Sequence, residues 1–298
     1  MKRFLFALCL AAAATRAAAV EAPLRVVALT TVLAEIAAEV GGPQVAVTGL
    51  LPPGVDPHTF NPSPADIRAV VDADVVLASG LRLEAYLDRI VRRVGPGGRI
   101  VSVGEQLPVV LTLPGPAGAE PDPHWWHSLT DMEAAVGVVQ GVFSAARPGF
   151  AGAFAARAGA YRARLEALRA WSLAELSVVP ADRRRLVTSH DAFGYLARDY
   201  GFRVYSINGL STDSEADGRH LASLVDMIRR ERVPSVFAES SANPRVVANL
   251  LGETGARLGG TLYADGLGPA GGEAADYVSM YRHNVRALAE GLGGPAPR

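Results

Sequence analysis

Three histidines and one aspartate, His58, His124, His190 and Asp265, recur along the chain at intervals of about seventy residues, too far apart for any local motif. Each stands in a turn-like segment just after a strand-like or proline-punctuated run. In parallel α/β sheets ligands bind beyond the carboxyl ends of strands, so such turns can meet in one place although they are distant in sequence. Three imidazoles and a carboxylate make a complete shell for a borderline divalent ion such as zinc. A complete shell holds an ion and leaves no open position for chemistry on it.

A loop histidine by itself usually has no special role. His58 rises above that reading because it sits in Pro52-Pro53-Gly54-Val55-Asp56-Pro57-His58-Thr59-Phe60, directly past a strand. His124 and His127 share Asp122-Pro123-His124-Trp125-Trp126-His127-Ser128, and either could ligate from a helical turn. The Asp-Pro pair that precedes both His58 and His124 favours His124. His127 is then the alternative ligand, an orienting partner or a cap-region residue, and Trp125 and Trp126 read as core or lobe-interface aromatics. His190 lies where a strand gives way to a helix, and Asp191 after it either receives the ring N–H or caps that helix. Asp265 precedes Gly266 at another strand end, although Asp-Gly alone also reads as a turn. Glu239 ends a strand as well and reads as an orienting or structural group. His220 and His283 fall within helices among charged neighbours and read as solvent-exposed.

The elements that must position these residues alternate between strand and helix. Strand-like runs at 24–29, 45–51, 75–78 and 99–103 are interleaved with helical ones at 32–40, 62–71 and 84–94. Ser63 is the expected N-cap of the second helix, with Pro64 at its first position. Such alternation implies a parallel sheet covered by helices. The Pro- and Gly-rich segment 104–123 reads as a surface loop, and a helix follows over 131–146. From Phe150 to Leu176 apolar residues recur at helical spacing, which predicts one helix over 148–176, about 40 Å long. The alternation then restarts, with strands at 185–188, 203–207, 236–238 and 259–263 and helices at 192–200, 218–231, 245–255 and 276–292. The fold class is therefore α/β, with two lobes, each a mostly parallel sheet covered by helices, bridged by one long rigid helix. The expected division is a leader at 1–19, an N-terminal lobe at 20–146, the linking helix at 147–177 and a C-terminal lobe at 178–298.

The leader reading comes from Lys2-Arg3, an apolar run from Phe4 to Ala14 and the A-x-A signal Ala17-Ala18-Ala19. The run is far short of the roughly 20 residues a membrane-spanning helix needs. The single cysteine, Cys9, lies within it and follows Leu8 where lipid attachment would want a small residue. The mature chain then starts at Val20, lacks thiols and suits an oxidising, periplasmic compartment. A length of 298 residues, 49% hydrophobic, fits two cores. A formal charge of -1 gives no global field for nucleic acid or an anionic membrane.

Several segments in order resemble a known family. They are Gly54-Val55-Asp56-Pro57-His58-Thr59-Phe60 with Pro62-Ser63-Pro64-Ala65-Asp66, Gly80-Leu81-Arg82-Leu83-Glu84 and Asp122-Pro123-His124-Trp125-Trp126 in the first half. In the second half they are Ser189-His190-Asp191-Ala192-Phe193-Gly194-Tyr195, Ala238-Glu239-Ser240-Ser241-Ala242-Asn243-Pro244, Gly259-Gly260-Thr261-Leu262-Tyr263-Ala264-Asp265 and Met280-Tyr281-Arg282-His283-Asn284. The pattern is similar to that of the zinc- and manganese-binding solute receptors of bacterial ABC importers, sometimes called cluster A-I or cluster 9, over nearly the whole mature chain. The resemblance implies a metal held between two lobes by His58, His124, His190 and Asp265. It also implies a membrane permease as partner, the ion as cargo and a monomeric receptor without direct membrane insertion. Family members that look selective for manganese present Glu at the third ligand position, so His190 points to Zn2+, with Mn2+ or iron as the alternative. There are two departures. The loop before the second ligand, Pro114-Gly115-Pro116-Ala117-Gly118, lacks the histidines that many zinc receptors carry, and Gly266 replaces a frequent serine.

Two readings from other classes compete. A secreted zinc hydrolase would need an open coordination position and a general base as in H-E-x-x-H, which is absent, although His127 and Glu239 could serve as acid or base. A surface adhesin would want repeats, a stalk or a lipid-anchoring cysteine, and the sequence offers none of them.

Overall fold

A computed structural model of the chain describes residues 21–94, 100–115, 118–212 and 218–293. The leader at 1–19, with Cys9, lies outside the described residues.

The first lobe runs β1 (Leu24–Ala28), α1 (Thr31–Gly41), β2 (Val45–Gly49), α2 (Pro64–Asp72), β3 (Val75–Ala78), α3 (Leu87–Val94) and β4 (Ile100–Ser102). Its four strands form an all-parallel sheet in the order β2-β1-β3-β4. Side chains alternate across a strand, and β1 is apolar on both faces. Val26 and Ala28 enter one buried cluster, while Val27 and Leu29 enter another on the opposite face. The sequence also writes the start of α2. Ser63 accepts from the Asp66 amide while the Asp66 carboxylate accepts from the Ser63 amide, a reciprocal cap, and Pro64 follows with no N–H to satisfy.

Two stretches differ from expectation. The helix expected from Glu84 starts at Leu87, because Glu84 is committed to the preceding loop and accepts the Ser79 and Gly80 amides at 2.6 and 3.0 Å. That loop holds Leu81 and Arg82 at φ 53° and 68°, a left-handed pair that these bonds keep in place. Within 104–123, read as irregular, an antiparallel ribbon forms from β5 (Thr112–Gly115) and β6 (Gly118–Pro121). An isolated two-stranded ribbon has free edges on both sides, so its prolines need not interrupt a ladder.

Next come α4 (Leu129–Ala146), capped by Ser128, and α5 (Ala151–Leu176), the expected linking helix. Its 26 residues give a length of about 39 Å. Phe154, Ala158, Tyr161, Leu165, Leu168, Ser172 and Leu176 form its buried stripe against α1, α4 and the C-terminal helix.

The second lobe runs β7 (Arg185–Thr188), α6 (Gly194–Tyr200), β8 (Arg203–Ser206), α7 (Gly218–Glu231), β9 (Ser235–Glu239), α8 (Pro244–Thr254), β10 (Arg257–Leu262) and α9 (Tyr277–Gly293). The pairs β7–β8 and β9–β10 are parallel, and β7 flanks β9. The spatial order β8-β7-β9-β10 thus repeats that of the first lobe. Leu186 and Phe237 face the large central cluster, whereas Val187 and Val236 face an outer one. The central cluster continues from Val26 and Ala28 through Trp125, Trp126 and the α5 stripe to Phe237 and Leu288, so one apolar core joins both lobes.

Candidate metal centre

The four residues read from the sequence converge. His58 lies in the loop after β2, His124 after β6, His190 after β7 and Asp265 after β10, all beyond the carboxyl ends of strands. In both Asp-Pro-His segments the aspartate turns the chain back by accepting the histidine amide, Asp56 at 2.8 Å and Asp122 at 2.9 Å. The Nε2 atoms of His58 and His190 lie 3.2 and 3.4 Å from that of His124. Asp265 Oδ1 is 3.6, 3.8 and 3.3 Å from the Nε2 atoms of His58, His124 and His190. All four donor atoms lie within 4.8 Å of one another. Four donors about 2.0–2.1 Å from a tetrahedral zinc are about 3.3–3.4 Å apart; five of the six edges here, at 3.2–3.8 Å, lie near that spacing.

The neighbouring groups aim the donors. His124 Nδ1 donates to Asp122 Oδ1 at 2.8 Å, and His190 Nδ1 donates to Glu239 Oε2 at 2.5 Å. Each bond places a ring proton on Nδ1, so the Nε2 that points at the centre is the nitrogen left to bind an ion. Glu239 Oε1 further accepts the Ser189 and His190 amides at 2.9 and 3.0 Å. Asp265 Oδ2 accepts from the Ser241 hydroxyl at 2.5 Å, while its buried Oδ1 has no hydrogen-bond partner. A buried carboxylate oxygen without a donor is costly unless a cation serves it.

His127 stands apart from this group. It is fully buried, stacks on Phe193 at 4.4 Å and donates from Nε2 to the Ala264 carbonyl at 2.8 Å. Trp126 Nε1 donates to the same carbonyl at 2.9 Å. The two together pin the residue just before Asp265. Gly266, just after, has φ +154°, and a Cβ there would meet Thr31 Oγ1 at 2.4 Å, so a serine at this position would collide.

Electrostatics set the histidines apart. Burial, with His190 and His58 facing it, holds the His124 pKa well below the usual histidine value. Burial also pushes His127 down to about 3, so it stays neutral. Burial alone would lower His190 too, but the Asp265 and Glu239 carboxylates outweigh it and hold the ring well above the ordinary value. Asp265 is likewise taken far below the carboxylate range by His190 and His58 against its own burial.

The orienting group of His190 is Glu239 and not Asp191, whose amide instead donates to the Gly209 carbonyl. Nor does Asp191 cap α6, which begins after Phe193 without a side-chain cap. Asp122 and Ser241 went unassigned in the sequence reading. The repeated Asp-Pro-His could have exposed Asp122, whereas no local pattern points to Ser241. His220 is exposed as expected, but His283 is half-buried and donates to the Thr261 carbonyl.

The family model described as "Zinc-uptake complex component A periplasmic", ZnuA, matches residues 26–291. The chain belongs to the ZnuA family. Its relatives include the manganese-binding lipoprotein MntA of Bacillus subtilis (strain 168), 36% identical over 275 residues and covering 90% of each chain. They also include the zinc-binding protein TroA of Treponema pallidum (strain Nichols), 33% identical over 272 residues, covering 90% of this chain and 88% of TroA. The iron-binding protein YfeA of Yersinia pestis is 29% identical over 271 residues, covering 90% of this chain and 86% of YfeA. The solved structure of TroA superposes with a TM-score of 0.85 at 32% identity, covering 91% of this chain and 99% of that one. Family and fold are those of substrate-binding receptors and not of enzymes.

Proposed function

We propose that this ZnuA-family chain is the extracytoplasmic receptor of an ABC importer. It captures one zinc ion through His58, His124, His190 and Asp265 and delivers it to a membrane permease. The observation that carries the reading is the donor set, three imidazole Nε2 atoms and one carboxylate oxygen gathered within 4.8 Å of one another. Imidazole suits zinc, while manganese prefers a shell richer in oxygen, and by the Irving–Williams order zinc binds a given site more tightly. Manganese remains a second reading because MntA, at 36% identity, is named for it.

Residues 20–146 and 178–298 each supply two ligands, and 147–177 is the strut between them. The receptor acts as a monomer, freed from its leader before Val20. Among the described residues no helix is long and apolar enough to cross a membrane. A hydrolase is disfavoured because its candidate acid and base are both engaged, His127 on Ala264 and Glu239 on His190. The deciding experiment is metal analysis of protein purified without chelator, followed by zinc-against-manganese competition. One zinc per chain and a dissociation constant lower for zinc are expected. A manganese-loaded protein that prefers manganese would overturn the zinc assignment.

A further inference from the structure

One turn orients two ligands that come from different strands. β9 ends in Glu239, which holds His190, and two residues later Ser241 donates to Asp265 Oδ2. The Ser240 amide donates to the Leu262 carbonyl at 2.9 Å, tying this turn to the end of β10 from which Asp265 projects. The backbone around Asp265 is held on both sides. The Ala264 carbonyl before it accepts from Trp126 and His127, and the Leu267 amide after it donates to Thr31 Oγ1 at 2.9 Å. With the backbone clamped, rotation of the carboxylate is the freedom that decides how it meets an ion. Oδ1 faces the three Nε2 atoms and lacks a hydrogen bond, whereas Oδ2 is engaged by Ser241.

We propose that Ser241 is a positioning residue that sets the coordination number of the metal. By holding Oδ2 it confines Asp265 to a single bond through Oδ1. The shell then closes at four donors, the geometry structural zinc takes, and the carboxylate cannot chelate to give the larger, more oxygen-rich shell that favours manganese. The inference rests on the reading of the four residues as ligands. It adds a specificity role for a side chain that does not touch the ion.

The test uses the mature protein loaded with cobalt(II) as a spectroscopic stand-in, alongside zinc–manganese competition. It compares the unmodified chain with Ser241→Ala, and with Ser241→Thr, which keeps a hydroxyl. The unmodified protein should show the intense visible band of four-coordinate cobalt. Ser241→Ala should weaken that band, lower zinc affinity by about tenfold, the usual scale for loss of a group that orients a ligand, and move the zinc-to-manganese affinity ratio toward manganese. Ser241→Thr should restore all three. If the unmodified protein is already five- or six-coordinate, or if Ser241→Ala changes neither band nor ratio, the inference is wrong while the ligand reading stands. If Asp265→Ala and His58→Ala both keep full zinc affinity, the ligand reading itself fails and this inference falls with it.

Discussion

The side chains that aim the ligands are as specific in their placement as the ligands. Removing a donor from the shell costs a metal bond, whereas removing an outer partner loosens a ring that still binds, typically by 10–100-fold in affinity. Replacing His124 with Ala should therefore abolish tight zinc binding. Asp122→Asn, which no longer accepts the ring proton as a carboxylate, should weaken it by about tenfold. His127→Ala should weaken it far less than His124→Ala, since His127 reaches the site only through the Ala264 carbonyl. Isothermal titration with a competing chelator would rank the three, and a larger loss for His127 than for His124 would reverse their roles. His58, His124, His190 and Asp265 were legible as a candidate set because each follows a strand-like or proline-punctuated run, and the fold brings the four together. Their supporting partners were less so. Glu239 read as an orienting or structural group, and it does orient a ring; which ring was not legible, because Asp191 adjoins His190 in sequence whereas Glu239 reaches it only because β9 lies beside β7. Sequence proximity is a poor guide where a parallel sheet sets the neighbours.

At the level of elements, α1, α5 and α9 meet at one carboxylate. Glu35 on α1 accepts from the Tyr161 hydroxyl at 2.9 Å and from the Tyr277 amide at 2.7 Å, so it staples the linking helix to helices of both lobes. Burial raises its pKa to about 7, with Asp276 and Glu39 adding to the effect. The folded protein thus binds this proton more tightly than the unfolded chain, whose value is near 4.5. Between those values the native state holds more protons, so stability contributed at low pH is lost as pH rises toward 7, by about 3 kcal/mol in total. Glu35→Gln should remove that slope in the metal-free protein, and denaturant unfolding at pH 5 and pH 8 would read it. Equal slopes in the two proteins would mean that Glu35 titrates normally. The strands and helices around this junction were legible from their apolar runs and caps. The late start of α3 was not, because Glu84 serves backbone amides of a left-handed loop instead of a helix. Nor was the β5–β6 ribbon, written in the Pro and Gly residues that normally mark irregular chain.

On the scale of the molecule, two lobes with the same strand order are fused by one apolar core and a 26-residue helix. The four candidate ligands sit on both sides of the seam, so an ion held by all of them would belong to neither lobe alone. Because the ion binds the folded state, zinc at about 1,000 times its dissociation constant should add about 4 kcal/mol of stability. For a chain of this size that is a rise of about 10 °C in the thermal midpoint, readable by differential scanning calorimetry. An unchanged midpoint would mean that the folded chain does not bind the ion. The central claim, that His58, His124, His190 and Asp265 close one four-coordinate zinc centre, is tested most directly by zinc K-edge X-ray absorption on the stoichiometric complex. Four nitrogen and oxygen neighbours at about 2.0–2.1 Å, with the outer-shell scattering of three imidazoles, are expected. Six oxygen-rich neighbours, or fewer than three imidazoles, would contradict it.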